Sequence, residues 1–398
     1  MKLQLLLFFL TLLFFYGCHF GGSKTTKTGD LHVIDISKKH PGKDILLRSI
    51  ADIEYIPLET KDDILLTGVC QLAYLSDKYV VVWEPRLYDI FIFDRNGRIM
   101  TNFNRKGGGG EEYTMMKNLI FDEKNEEIFV FDHPQLSRML VYSITGEYKR
   151  TVKYSEDYFR LFAYTFDEEP FLVYDESAIF QKSHKEANPY MLMSKKDGSI
   201  VSTLDISLPV RYWNKIATQI ESDGQTYFTP LTISTPNNRY YGNNLLLADI
   251  SSDTIYLLTK DKGLKPFIVR TPSVHLSESR TVLTHQFATD KFVFLYKIPL
   301  DFEAEKNNRS ITITKLMYEF AAGETYEVSF VNDDYPSRSW WEEPFMYADL
   351  PHNTSAMLIQ MSRLKRAYEE KQLRGDLGGL VKTLDAEDNP ILMIVNFK

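Results

Sequence analysis

Apolar residues in this chain gather in runs of strand length, and the runs recur in a fixed order. Tyr79-Val80-Val81-Val82-Trp83-Glu84 leads through a short polar link to Ile90-Phe91-Ile92-Phe93-Asp94, the turn Arg95-Asn96-Gly97, and Arg98-Ile99-Met100. A second copy reads Ile128-Phe129-Val130-Phe131-Asp132, a link from His133 to Ser137, Met139-Leu140-Val141-Tyr142, then Thr145-Gly146 and Glu147-Tyr148. The third is Leu245-Leu246-Leu247-Ala248-Asp249, Thr254-Ile255-Tyr256-Leu257-Leu258, the turn Asp261-Lys262-Gly263, and Pro266-Phe267-Ile268-Val269. Runs rich in Val, Ile, Phe and Tyr, with Asn-Gly, Thr-Gly or Lys-Gly where the backbone needs positive φ, predict antiparallel hairpins.

Two eroded copies complete the series. Phe171-Leu172-Val173-Tyr174 leads to Tyr190-Met191-Leu192-Met193 and the turn Lys196-Asp197-Gly198, and Phe292-Val293-Phe294-Leu295-Tyr296 leads to Ile311-Thr312-Ile313-Thr314. A unit of three or four strands at a period of about 40–50 residues cannot cover its own faces and must stack radially, which predicts a β-propeller. The spacing of Met357, Leu358, Met361, Leu364, Tyr368 and Leu373 predicts an amphipathic helix over Ala356 to Leu380, ending near Gly375. Asn389 to Val395 reads as a final strand, and Ile53 to Leu58 as an early one. Pairing these two closes the ring and removes both free edges. The expected fold is all-β: six antiparallel four-stranded blades over residues 31–398, with an amphipathic helix inserted in the C-terminal blade.

The first residues follow a different pattern. Lys2 precedes an apolar run from Leu3 to Phe15, and Tyr16, Gly17 and Cys18 follow. That is the order of a signal peptide over residues 1–17, and the run is shorter than the roughly 20 residues a membrane-spanning helix needs. Phe15-Tyr16-Gly17-Cys18 resembles a bacterial lipobox, so Cys18 is the expected lipidation site. Residues 18–30, rich in Gly, Ser, Thr and Lys, suit a flexible tether. The expected location is therefore a membrane-anchored envelope lipoprotein, facing the periplasm rather than the cell surface because no acidic cluster follows the cysteine.

Composition narrows the partners. The 398 residues are 44% hydrophobic and include two cysteines, so a large core is available and a disulfide framework is not. Cys70 is expected to be a buried, inert thiol. With a net charge of −8 and no basic stripe interleaved with aromatics, nucleic acid is not an expected partner.

Four stretches carry a family resemblance: Ile56-Pro57-Leu58-Glu59-Thr60, Arg105-Lys106-Gly107-Gly108-Gly109-Gly110-Glu111-Glu112-Tyr113, Ser252-Asp253-Thr254-Ile255-Tyr256, and Asp388-Asn389-Pro390-Ile391-Leu392. Together they resemble the six-bladed β-propeller lipoproteins abundant in Bacteroidota, which are similar to NHL-repeat propellers. The resemblance covers nearly the whole chain after Cys18 and implies fold, export and anchorage. It brings no catalytic residues. The family pattern Gly-x-Gly-Pro-Gly-Glu-Tyr lacks its proline here.

No enzymatic motif stands out. Gly107 to Gly110 are followed by neither Lys-Ser/Thr nor a helix, so an inter-blade turn is expected rather than a phosphate cradle. Zinc-ligand spacing and a Gly-x-Ser-x-Gly elbow are also missing. In a propeller the links between strands gather at the ring's faces, so Trp83, Arg86, His133 and Arg138 are expected to line one opening. Trp213, Arg239, Tyr240, Trp340 and Trp341 are candidates for an aromatic platform suited to sugars or peptides. The leading expectation is a binding or scaffold module, without an evident cofactor, for an envelope protein or a small extracytoplasmic ligand such as a peptide or glycan. The alternative is a lactonase-like, metal-assisted hydrolase or lyase using the central channel, with calcium held by Glu84, Asp132, His133 and Asp249; local turn hydrogen bonds are the competing role for those carboxylates.

Overall fold

A computed structural model of the chain describes residues 31–61, 64–133, 136–158, 161–177, 188–208, 215–222, 225–232, 238–276, 281–299, 313–335 and 348–398. Three strands come first: β1 (His32–Asp35), β2 (Gly42–Leu46) and, after the single helical turn Leu47–Ile50, β3 (Ala51–Pro57). Blade one follows as β4 (Gln71–Leu75), β5 (Tyr79–Trp83), β6 (Ile90–Asp94) and β7 (Ile99–Phe103). Blade two is β8 (Asn118–Asp122), β9 (Glu127–Phe131), β10 (Arg138–Ser143) and β11 (Tyr148–Lys153); blade three is β12 (Leu161–Thr165), β13 (Pro170–Asp175), β14 (Tyr190–Ser194) and β15 (Ile200–Thr203). A separate hairpin, β16 (Lys215–Ser222) and β17 (Gln225–Thr232), lies in the link to the next blade. Blade four is β18 (Arg239–Tyr241), β19 (Asn244–Leu247), β20 (Thr254–Leu258) and β21 (Leu264–Thr271); blade five is β22 (Thr281–Ala288), β23 (Phe292–Pro299), β24 (Thr314–Glu319) and β25 (Glu324–Val331). The last blade takes β26 (Thr354–Ile359) and β27 (Ile391–Phe397) from the carboxyl end and β3 from the amino end, with Asp349 bridging Tyr74 at the innermost position. The fold is a six-bladed β-propeller of small antiparallel blades.

The unbroken apolar runs follow from this geometry. A middle strand of a blade has another blade against each face, so both of its side-chain sets are buried. Val80 and Val82 on β5 enter the apolar seam with blade six, while Tyr79 and Val81 enter the seam with blade two. Ile128 and Val130 on β9 look back to blade one, and Phe129 and Phe131 forward to blade three. Leu172 and Tyr174 on β13 join blade four, while Phe171 and Val173 join blade two. Two further seams, between blades four and five and between five and six, complete the ring. Outer strands have one covered face and alternate accordingly, as in Ile99-Met100-Thr101-Asn102-Phe103.

Glycines in the turns before the outer strands make the seams tight. Gly97, Gly146 and Gly198 all have φ between 75° and 81°. A Cβ on them would lie 2.3 Å from the Pro57 carbonyl, 2.4 Å from the Phe103 ring and 2.3 Å from the Lys153 carbonyl, respectively. Each turn is wedged against the end of the preceding blade's outer strand, where only glycine fits.

Ring closure is built from both termini. β3 pairs antiparallel with β27 from Ala51↔Phe397 to Pro57↔Ile391. Asn389, 2% exposed, clasps the join: its amide donates to the Glu59 and Ile64 carbonyls, and its oxygen accepts the Leu66 N–H at 2.8 Å. Two of the stretches that carried the family resemblance are thus each other's partners. Before reaching blade six, the amino-terminal segment adds a fifth, parallel strand to two blades in turn, β1 on β21 and β2 on β25. Neither short strand shows an apolar pattern, and neither was expected.

Three expectations need correction. The helix predicted over Ala356 to Leu380 begins as strand β26, and only Met361–Glu369 and Gly375–Val381 are helical. Lys371 and Gly375, at φ 58° and 53°, break the run, and Met361, Leu364 and Ala367 bury against blades five and six. The third strand of blade five is Thr314–Glu319; Ile311 and Thr312 lie outside the described residues. Cys70 is half-buried, in the turn that precedes β4.

Candidate functional site

The innermost strands, β4, β8, β12, β18 and β22, run in one direction around the axis, so the links from second to third strands and those from blade to blade share one face of the ring. We call this the upper face. The hairpin turns within blades form the lower face.

Glu84, Asp132 and Asp249 occupy equivalent upper-face links, and all three are buried. Their environments differ. Asp132 accepts the backbone N–H groups of Thr114, Met115 and His133 at 2.8, 3.1 and 2.7 Å and the Arg138 Nε–H at 2.8 Å. Burial opposes its charge, but these donors prevail and hold the carboxyl below its usual range. Arg138 also donates to the Glu112 carbonyl. Together they fasten the glycine-rich link of Gly107 to Gly110 to blade two, within which the Glu112 carboxylate accepts the Gly109 N–H at 2.7 Å. A Cβ on Gly107 would lie 2.0 Å from that carboxylate. The link is an inter-blade turn. Asp249 accepts the Tyr174 hydroxyl at 2.5 Å from blade three and the Ser251 N–H at 2.7 Å, and Glu84 accepts the Arg86 N–H at 2.9 Å. Turn bonding is thus the observed role of these carboxylates, and among the described residues no three His, Cys, Asp or Glu side chains are grouped as a metal site requires.

The other candidates separate. Arg86 is exposed on the upper face, and His133 is half-buried there. Trp83 packs into the seam of blades one and two. Arg239 and Tyr240, adjacent on an innermost strand, face opposite ways, as strand alternation demands. Arg239 donates from Nε to the Gln286 carbonyl of blade five at 2.9 Å, whereas Tyr240 donates its hydroxyl to the Thr165 carbonyl of blade three. Cys18, Trp213, Trp340 and Trp341 lie outside the described residues.

Sequence reasoning missed a polar ring at the lower end of the channel. Tyr74 of blade one donates to Glu123 of blade two at 2.6 Å, and Lys195 of blade three holds Asp122 at 2.9 Å. The Gly242 N–H of blade four donates to His352 Nδ1 at 2.8 Å, and His352 Nε2 meets Asp290 of blade five at 2.9 Å. The Asp349 carboxyl hydrogen-bonds Thr165 and Tyr240. Burial, the largest influence, and nearby Glu123 push that carboxyl up to about 7 against the opposing pull of Thr165, Tyr240 and Lys195. No local motif marks these residues, because each partner comes from a different blade.

The upper face carries a second unpredicted feature. Leu65, Val69, Leu87, Leu136 and Leu276 are 38–85% exposed, and all lie in upper-face links. The remaining exposed large apolar residues, Leu31, Val33, Leu46, Met100 and Val201, lie beside or on outer strands. Among the described residues none lies in a lower-face turn, where Asp77-Lys78, Glu123-Lys124-Asn125-Glu126, Asp167-Glu168-Glu169 and Lys260-Asp261-Lys262 are typical.

Comparison with known proteins gives the fold company but no activity. A protein of Bacteroides fragilis, named for its inferred export, superimposes with a TM-score of 0.61 at 14% identity, over 92% of this chain and 99% of its own. A member of the DUF4221 family from Bacteroides vulgatus gives a TM-score of 0.46 at 11% identity, over 88% of this chain and 97% of its own. No curated protein matches the sequence. The family model described as a domain of unknown function, DUF4934, matches residues 31–396, all six blades, and the chain belongs to that family.

Proposed function

We propose that this protein is an exported propeller, anchored to the envelope through Cys18, that binds another envelope protein with its upper face. The observation that carries the reading is the segregation of surface chemistry. Among the described residues, five of the ten large exposed apolar side chains fall on the upper-face links and none on the lower-face turns, which are charged. Isolated exposed leucines are ordinary, but a set gathered on one face and missing from the opposite one supports an interaction surface there. The order of Lys2, the apolar run and Cys18 supports export and lipidation, and a protein of the same fold that is named for export agrees with it.

Two experiments test the parts separately. Replacing Leu87, Leu136 and Leu276 by Glu is expected to cut recovery of a cross-linked envelope partner about tenfold or more, the loss expected when apolar anchors leave an interface. Lys196→Glu with Lys260→Glu, on exposed lower-face turns, is expected to leave recovery unchanged. Equal recovery from all three proteins, or equal loss in both variants, would exclude the upper face as the binding surface. For the anchor, Cys18→Ala is expected to abolish labelling by palmitate and to move the protein out of the membrane fraction. Labelling that persists rules out the lipidation site.

A further inference from the structure

The amino-terminal strand brings exposed apolar side chains and a group of lysines together on the outer edge of blade four. Leu31 and Val33 are 46% and 58% exposed. His32 and Ile34, which alternate with them, turn inward: Ile34 is fully buried, and the centroid of the His32 ring lies 4.7–5.2 Å from those of Phe267, Tyr318 and Phe320. Strand β1 is thus pinned by one face and shows the other to solvent. Its partner β21 runs parallel to it, with His32 beside Ile268, and follows the lower-face turn 259–263. The chain therefore reaches His32 from the side of that turn.

The turn and the start of β21 are basic. Lys260, Lys262 and Lys265 are all exposed, and the acid among them, Asp261, accepts the Thr259 hydroxyl at 2.5 Å. Lys265 precedes Ile268 by three residues, or ~10 Å along the strand. Other lower-face turns differ: in 123–126 and 167–169, of blades two and three, Glu123, Glu126, Asp167, Glu168 and Glu169 stand against Lys124 alone. The basic excess is local to the point of chain entry.

Single exposed leucines and surface lysines are ordinary. Their coincidence with the point of chain entry is what identifies a partner. Between Cys18 and Leu31 lie twelve residues, a length that spans at most ~40 Å when fully extended and ~20 Å on average when flexible. A lipid on Cys18 would hold this edge of the ring near the bilayer, at an effective concentration where weak contacts suffice. Lysines at such a surface are drawn to anionic headgroups, and apolar side chains beside them enter the headgroup boundary. We propose that the outer edge of blade four, through Leu31, Val33, Lys260, Lys262 and Lys265, rests on the anionic headgroups of the bilayer that holds Cys18. This rests on the anchor proposed above and adds an orientation to it: blade four meets the membrane, and the upper face stays free for its partner.

The test couples residues 18–398, carrying Cys70→Ser, through Cys18 to a maleimide lipid in vesicles of phosphatidylcholine with or without phosphatidylglycerol. Amide exchange over residues 31–34 and 259–265 is expected to slow about fivefold or more on the phosphatidylglycerol vesicles, the effect of roughly one lysine held at an anionic surface. Exchange on phosphatidylcholine alone is expected to match that of the uncoupled protein. Lys260→Glu with Lys262→Glu and Lys265→Glu is expected to abolish the protection, whereas Lys78→Glu with Lys124→Glu and Lys196→Glu, the same change of charge on blades one to three, is expected to keep it. The membrane contact is overturned if exchange does not slow, if it slows equally without phosphatidylglycerol, if the upper-face links are protected instead, or if the two variants behave alike. Chemical coupling makes these outcomes independent of natural lipidation, which palmitate labelling judges separately.

Discussion

Asp132→Ala is expected to destabilise the propeller by about 3–4 kcal/mol, read as a lower denaturant midpoint with an unchanged slope. The Asp132 side chain is fully buried, and the substitution would leave the backbone donors of Thr114, Met115 and His133 and the Arg138 guanidinium, itself 17% exposed, without their acceptor. The damage would spread beyond one turn. Arg138 also holds the Glu112 carbonyl, so the glycine-rich link loses its fastening to blade two. Asp132→Asn keeps one acceptor oxygen while leaving Arg138 without a countercharge, and an intermediate loss is expected. A change below about 0.5 kcal/mol for Asp132→Ala would show that the clasp contributes little.

The second large effect is a pH dependence centred on Asp349. The residue keeps some exposed surface, but its carboxyl is enclosed by Thr165 and Tyr240. In the folded protein it holds its proton up to about pH 7, whereas its ordinary value is 3.8. Between those values the folded state binds more protons than the unfolded state, so the contribution of Asp349 falls as pH rises. The stabilising term is complete below about pH 4 and lost by about pH 7. Asp132 has the opposite sign, its lowered value favouring the fold at higher pH and losing that contribution on acidification. The two are separated by comparing the wild type with Asp349→Asn, which keeps the side-chain shape and cannot ionise. Relative to the wild type, the variant is expected to gain on the order of 1–3 kcal/mol between pH 4 and pH 7.5. A difference that stays constant across that range would show that Asp349 does not titrate at the ring. Tyr74, Tyr240, Glu123, Lys195 and Asp122 surround the same position, so the midpoint of the change reports on the whole group.

The blades were legible because their middle strands are covered on both faces, which leaves uninterrupted runs such as Tyr79 to Trp83, and because their turns need residues such as Gly97 and Gly146 at positive φ. The innermost strands were not. Arg239-Tyr240-Tyr241 is short and shows no apolar run, so Arg239 and Tyr240 read as candidate ligand contacts and not as part of a strand. The parallel strands β1 and β2 escaped notice for the same reason, having one covered face and little length. Of the candidate site, the positions of Glu84, Asp132 and Asp249 were legible from the repeat, since equivalent positions in equivalent blades reach the same face. Their roles depended on neighbours the repeat cannot name, such as Tyr174 for Asp249, 75 residues away.

The way the ring is closed also sets an order of assembly. A chain delivered amino end first presents β1, β2 and β3 at the outset, but their partners are β21, β25 and β27. Blades one to three pair strands close in sequence and can form while later residues are still arriving. The amino-terminal strands cannot, since Ala51 has no partner until Phe397 has been delivered. Throughout delivery those strands remain open edges of the kind that recruit other chains. Assembly therefore ends on a late event, and the interval before it is when these open edges are most exposed to pairing with other chains.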